Sequence, residues 1–154
     1  MICLDETITL PNESFFTTVK VLLDEGKQVR IPVKGSSMRP FLSDGDAVEL
    51  IAVNGKSIHW GAIVLAYFEG RMVLHRVVRK KKDNVWLMGD AHSRYREKIT
   101  VGDVWAITGT AYRSGKVLKL DSFAQRCASV CWFGLMPFRG ILLKSMEILN
   151  KSLR

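Results

Sequence analysis

The sequence predicts a mainly β protein: a coiled, partly closed antiparallel β structure with an N-terminal helix and a C-terminal helical tail. Three observations carry that expectation. Short apolar runs of strand length recur between Gln28 and Leu120, with polar turns between them. Ahead of them, Phe15, Phe16, Val19, Leu22 and Leu23 keep helical spacing. Behind them, Ser122 to Leu153 returns to helical spacing around an apolar centre, Ala128 to Leu143, interrupted by Gly134, Pro137 and Gly140. The expected division is a β domain over residues 1–121 and an amphipathic tail over 122–154.

Taken in order, Asn12-Glu13-Ser14 offers a cap and an acidic first turn for a helix over about residues 12–25, and Gly26 ends it. Val29 to Val33 is a strand whose Pro32 places it at an edge or an end. Ala47 to Val53 is the next strand, followed by the turn signal Asn54-Gly55. Ile63 to Phe68 and Met72 to Val78 form a hairpin about Glu69-Gly70. Arg79 to Asn84 reads as a polar turn, Val85 to Met88 as a strand closed by Gly89-Asp90, and Ala91 to Lys98 as a polar loop. Val104 to Tyr112 and Val117 to Leu120 make a last hairpin about Ser114-Gly115. In the tail Pro137 divides the helical pattern, giving two short helices or one kinked helix.

Composition narrows the function classes. The chain has 154 residues, 47% hydrophobic and 25% charged, with a net charge of +8, which is a globular balance with attraction for anionic partners. Three cysteines, Cys3, Cys127 and Cys131, make no disulfide framework, and three histidines without Cys/His spacing give no metal site, so neither metal nor cofactor is expected. The first residues lack a signal-peptide pattern, and no apolar run reaches the roughly 18 residues of a spanning helix, so the expected compartment is the cytoplasm. The Arg79-Lys80-Lys81-Lys82 run suits a solvated hairpin tip, and without an accompanying aromatic ladder no specific nucleic acid is expected. About 30 residues precede the serine corner described next, too few for a multi-helix DNA-binding unit.

The stretch with chemical content is Val33-Lys34-Gly35-Ser36-Ser37-Met38-Arg39-Pro40, at a strand-to-turn corner. A serine there projects from the sheet, where backbone N–H groups converge on the same point. Alone, the residues describe an ordinary Ser-rich turn. A serine nucleophile needs a base, and the candidates are His59, His75, His92 or a buried lysine. His75 stands out because alternation puts it on one strand face with Val73 and Val77. Asp90, one strand later, is placed to orient an imidazole.

In order, Gly35-Ser36-Ser37-Met38-Arg39-Pro40, Gly45-Asp46, Leu74-His75-Arg76-Val77-Val78 and Gly89-Asp90 resemble the motif series of the superfamily of serine peptidases that contains signal peptidases and self-cleaving repressors. The resemblance covers roughly residues 28 to 120. It implies the fold of a signal peptidase or of a repressor's C-terminal domain, with Ser37, directly before Met38, as nucleophile. Where bacterial signal peptidases and repressors carry a lysine base, this chain has His75, which is similar to the archaeal and endoplasmic-reticulum branch. That branch implies Asp90 as the third member, with Asp103 as the alternative, and the Ser37 backbone N–H in the oxyanion hole, with Ser36 as a further contributor. The family's hydroxyl two residues before the nucleophile is Gly35 here, its Gly-Asp at the third strand is Gly61-Ala62, and its Gly-Asp-Asn ends in Ala91. No apolar anchor precedes Ser37 in the sequence.

Implied next is peptide cleavage through a Ser-His-Asp acyl-enzyme. A peptide or protein substrate, such as a leader- or signal-like segment, would be added as a strand along the edge from Gln28 to Val33, so Val29, Ile31, Val33 and Met38 are the expected substrate-binding residues. The alternatives are a regulatory or inactive β domain binding peptide, nucleic acid or a membrane surface. In the tail, Trp132, Phe133, Leu135, Met136, Phe138, Ile141, Leu142 and Leu143, flanked by Arg and Lys, suit peripheral contact with a membrane; packing on the sheet or dimer contact are the competing roles. The peptidase reading requires Ser37 Oγ to lie within roughly 2.6–3.2 Å of a His75 ring nitrogen, or slightly beyond.

Overall fold

A computed structural model describes residues 12–54, 57–94 and 96–152. Cys3, Gly55 and the side chain of the expected cap Asn12 lie outside the described parts. The order is α1 (Asn12–Asp24), β1 (Val29–Pro32), β2 (Ala47–Ala52), β3 (Ile63–Phe68), β4 (Arg71–Lys81), β5 (Asn84–Met88), β6 (Glu97–Thr100), β7 (Val104–Arg113), β8 (Lys116–Lys119), α2 (Phe123–Gly134) and α3 (Arg139–Ser152). One antiparallel, curled sheet runs β1-β2-β7-β3-β4-β5-β6, with β8 paired to β7. The mainly β fold with helices at both ends is thus the fold the sequence predicts.

The sheet has two apolar sides because β3 is buried on both faces from Ile63 to Ala66. Ile63 and Leu65 enter one core with Val19 and Leu23 of α1, Val29 and Ile31 of β1, and Val48 and Leu50 of β2. Val64 and Ala66 enter a second with Val73, Val77, Val85, Leu87 and Ile99. An unbroken apolar run such as Ile63–Phe68 is what a strand covered on both faces requires. Register shifts at Glu49/Ile51, Leu65/Ala66 and Val77/Arg79 help to bend the sheet.

Two expectations change. β4 runs on through the basic stretch to Lys81, pairing Lys80 with Val85 and Lys81 with Asn84, so the turn shrinks to Lys82-Asp83. Arg79 and Lys98 lie over the Trp86 ring, which supports the charged ladder on its solvent face. The polar loop ends early, because Glu97–Thr100 pairs with β5 as β6, Leu87 opposite Glu97. In the tail, a 3₁₀ turn over Met136–Phe138 containing Pro137 separates the two helices.

The loop from Val33 to Asp46 carries the serine corner, and its base is held shut. Val33 N–H donates to Asp46 O (2.7 Å) and Gly45 N–H to Val33 O (3.1 Å). The buried Asp46 carboxylate accepts from Ser43 N–H (2.8 Å) and takes both Nε and Nη2 of Arg113 (2.9 and 2.7 Å), while Arg113 Nη2 also reaches Phe41 O. Burial pushes the Asp46 pKa up, but the Arg113 and Ser43 hydrogen bonds outweigh it and hold it below its ordinary 3.8. A depressed carboxylate pKa contributes stability above its unfolded value, and that stability is lost as pH falls through the folded one. Asp46→Asn is therefore expected to destabilise the protein near neutral pH by about 1–3 kcal/mol. In denaturant melts the gap from wild type should close as pH drops below 3.8.

Candidate active site

The corner is set by a reversal of the chain at Gly35, whose φ of +87° suits glycine; its N–H donates to Asp44 Oδ1 at 2.8 Å. A turn follows, with Arg39 N–H to Ser36 O and Leu42 N–H to Met38 O, and the Arg39–Pro40 peptide is cis. Met38 and Leu42 are buried, which plugs the turn into the core and leaves Ser37 half-buried above it. Ser36 is exposed. Among the described residues, no acceptor takes the Ser37 backbone N–H.

Ser37 Oγ lies 3.1 Å from His75 Nε2. His75 is 6% exposed, on the β4 face it shares with Val73 and Val77. On the far side of the ring, His75 Nδ1 lies 2.5 Å from Glu97 Oε2, and Glu97 is 1% exposed. A carboxylate accepts, so this contact puts the ring proton on Nδ1 and leaves the Nε2 lone pair facing the serine hydroxyl. Among the described residues the second carboxylate oxygen is buried without a hydrogen bond; Arg71 Nη2, on an exposed side chain, lies 4.0 Å from it.

Gly89 lets these groups meet. It follows directly on β5, the strand that lies between β4, which carries His75, and β6, which carries Glu97. A Cβ there would stand 2.7 Å from Ser37 O, 2.8 Å from His92 Nδ1 and 3.2 Å from His75 Nε2. The first of these is backbone, held by Ala91 N–H donating to Ser37 O at 2.8 Å. Any side chain at residue 89 would push the Ser37 peptide away.

Asp90, the expected third member, is elsewhere. Its carboxylate faces Arg76 and accepts from Nε and Nη2 at 2.8 Å each, with both side chains buried. Arg76 Nη1 donates to Gly61 O, so the pair ties β4 to the turn before β3. The alternative, Asp103, accepts from Thr100 N–H and Oγ1 at 2.7 Å and caps the 3₁₀ turn after β6. The carboxylate at His75 is Glu97 instead. Its one sequence signal is that it lies two residues before the apolar Ile99, on the same strand face, within a stretch too short and too charged to read as a strand. The four expected substrate-binding side chains also move. Val29, Ile31, Val33 and Met38 are at most 5% exposed and lie in the core, so none of these side chains is open to a substrate. Of the other histidines, His59 binds Ser57 O, while His92 is exposed with its ring edge-on to His75 at 6.2 Å.

The tail is fastened beside the site. Trp132 Nε1 donates to Asp90 O at 2.7 Å and its ring meets Phe41 edge-on. Arg139, fully buried, donates from Nη1 to His92 O at 2.8 Å and from Nε to Trp132 O. Burial pushes the Arg139 pKa below its ordinary value; Asp90 nearby opposes this and Arg76 adds to it.

A serine hydroxyl facing the free nitrogen of an imidazole whose other nitrogen meets a buried carboxylate, set in a curled antiparallel sheet, is the arrangement of a serine hydrolase. The chain belongs to the Peptidase S24-like family, which matches residues 3–112 and so takes in every strand through β7 except its last residue. No curated protein matches it.

The two acidic residues are expected to separate on mutation. Asp90→Asn leaves a buried guanidinium without its counter-charge and should cost about 3–5 kcal/mol in denaturant melts, with the folded fraction keeping its Ser37–His75 contact. Glu97→Gln should leave the melt far less changed.

Proposed function

We propose that the protein is a serine endopeptidase that cleaves a peptide or leader-like segment through a Ser37-His75-Glu97 acyl-enzyme mechanism. The observation that carries this is the continuous line from Glu97 Oε2 through both His75 nitrogens to Ser37 Oγ. Membership of the Peptidase S24-like family supports peptidase chemistry.

His75 Nε2 takes the hydroxyl proton as Ser37 Oγ attacks the scissile carbonyl, and the imidazolium then gives that proton to the leaving amine. Water repeats the sequence on the Ser37 ester and releases the acid. Glu97 fixes the tautomer and stabilises the imidazolium in a site shielded from water, where the charge pair is strong. The Ser37 N–H, free of other acceptors among the described residues, is the oxyanion donor; Ser36 lies beside it on the solvent side. The substrate strand is added at β1, an end of the sheet order, through backbone hydrogen bonds.

Peptide-library cleavage read by mass spectrometry tests this. Ser37→Ala and His75→Ala should each lower the rate by about 10³-fold or more, and Glu97→Gln by about 10²–10⁴-fold through loss of the tautomer. Ser36→Ala should cut nearly as well as wild type. A wild type that cuts nothing, or a Ser37→Ala variant that cuts equally well, ends the reading.

A further inference from the structure

The sheet uses little of the tail. The α2 face bearing Gln125, Ser129, Trp132 and Phe133 turns toward the body, and among the described side chains of α3 only Arg139 is buried. The opposite side is apolar and open. Phe123 is 83% exposed, Val130 53%, Phe138 57%, Ile141 69% and Ile148 63%. Burying such side chains is favourable, and exposed apolar side chains repeated along two adjoining helices mark a contact surface.

The chemistry of what covers it follows from charge and shape. From Ser122 to Arg154 the basic residues are Arg126, Arg139, Lys144, Lys151 and Arg154, against the single acid Glu147, and Cys127 to Phe138 holds no charge at all. The whole chain is +8, so a second copy would bring like charge against like charge, whereas an anionic lipid surface complements it. The segments Phe123–Gly134 and Met136–Met146 together are as apolar as a membrane span, but they meet at a 72° bend, and no single helix among the described residues is long and apolar enough to cross. At 1.5 Å per residue, α2 and α3 are about 18 and about 21 Å long, short of a hydrocarbon core of about 30 Å. The Trp132 and Arg139 anchors hold the bend on either side, so the pair cannot straighten into one rod without leaving the sheet.

We propose that α2 and α3 form an in-plane docking surface for an anionic bilayer, entering the headgroup region through Phe123, Val130, Phe138, Ile141 and Ile148, with the exposed Arg126 and Lys144 on lipid phosphates. The proposal is independent of whether the site cleaves peptides.

The test is flotation of the full chain with vesicles of equal phosphatidylglycerol and phosphatidylcholine, beside vesicles of phosphatidylcholine alone. Wild type should float with the anionic vesicles, less so at high salt and weakly with neutral ones. Phe138→Asp with Ile141→Asp should reduce flotation by roughly tenfold or more, with an unchanged thermal melt and unchanged cleavage in solution, since both side chains are exposed and outside the catalytic line. Wild type staying with the soluble fraction, or the double variant floating equally well, overturns the proposal. So does light scattering that shows a wild-type dimer which the double variant lacks, because the face then belongs to a second copy.

Discussion

The absence of a side chain at residue 89 is the constraint on which the site rests. Three segments that are remote from one another in sequence come together at Gly89: the serine corner after β1, the middle of β4 at His75, and the loop after β5 at His92. A methyl group there would stand 2.7 Å from the carbonyl of Ser37, and that carbonyl is tied to Ala91 N–H, so neither partner can retreat cheaply. Curling brings the corner over this point, and the register shift at Val77/Arg79 lies one turn of the pleat from His75.

Two buried carboxylates, on either side of the loop after β5, have different partners. Asp90 and Glu97 are both about 1% exposed, yet their partners differ in kind. Asp90 meets a guanidinium in two-point geometry and organises the scaffold: Arg76, the Gly61 carbonyl and, through its own backbone, Trp132 of the tail. Glu97 meets an imidazole at one nitrogen and governs which proton that ring carries. The tail thus fastens to the structural carboxylate's segment, one residue from the Ala91 N–H that grips Ser37, and keeps its apolar side for another surface.

Much of this was legible in the sequence. The helix of α1, the doubly covered β3, the hairpin of β7 and β8 and the break at Pro137 announce themselves through periodicity and turn residues, because local preference and burial agree there. The order of the serine, histidine and Gly-Asp motifs also pointed to Ser37 and His75, which the fold sets 3.1 Å apart. The carboxylate that meets His75 was not legible. Asp90 follows Gly89 in a motif-like pair, but the close approach explains the glycine, and the aspartate answers Arg76. Glu97 sits in Arg96-Glu97-Lys98, whose charges read as loop; only pairing with β5 makes it a strand and turns the residue inward. Likewise the alternation of Val29, Ile31 and Val33 said that one face of β1 is apolar, but not whether core or substrate covers it, and the core does.

The central claim is that Ser37 forms a covalent acyl intermediate under the control of His75 and Glu97. The most direct measurement is cleavage of a susceptible peptide in the presence of hydroxylamine, with the fragments read by mass spectrometry. An ester on Ser37 partitions between water and hydroxylamine, so the N-terminal fragment should appear both as acid and as hydroxamate, and both should vanish in Ser37→Ala. Cleavage that yields only the acid, or that persists in Ser37→Ala, would contradict the mechanism.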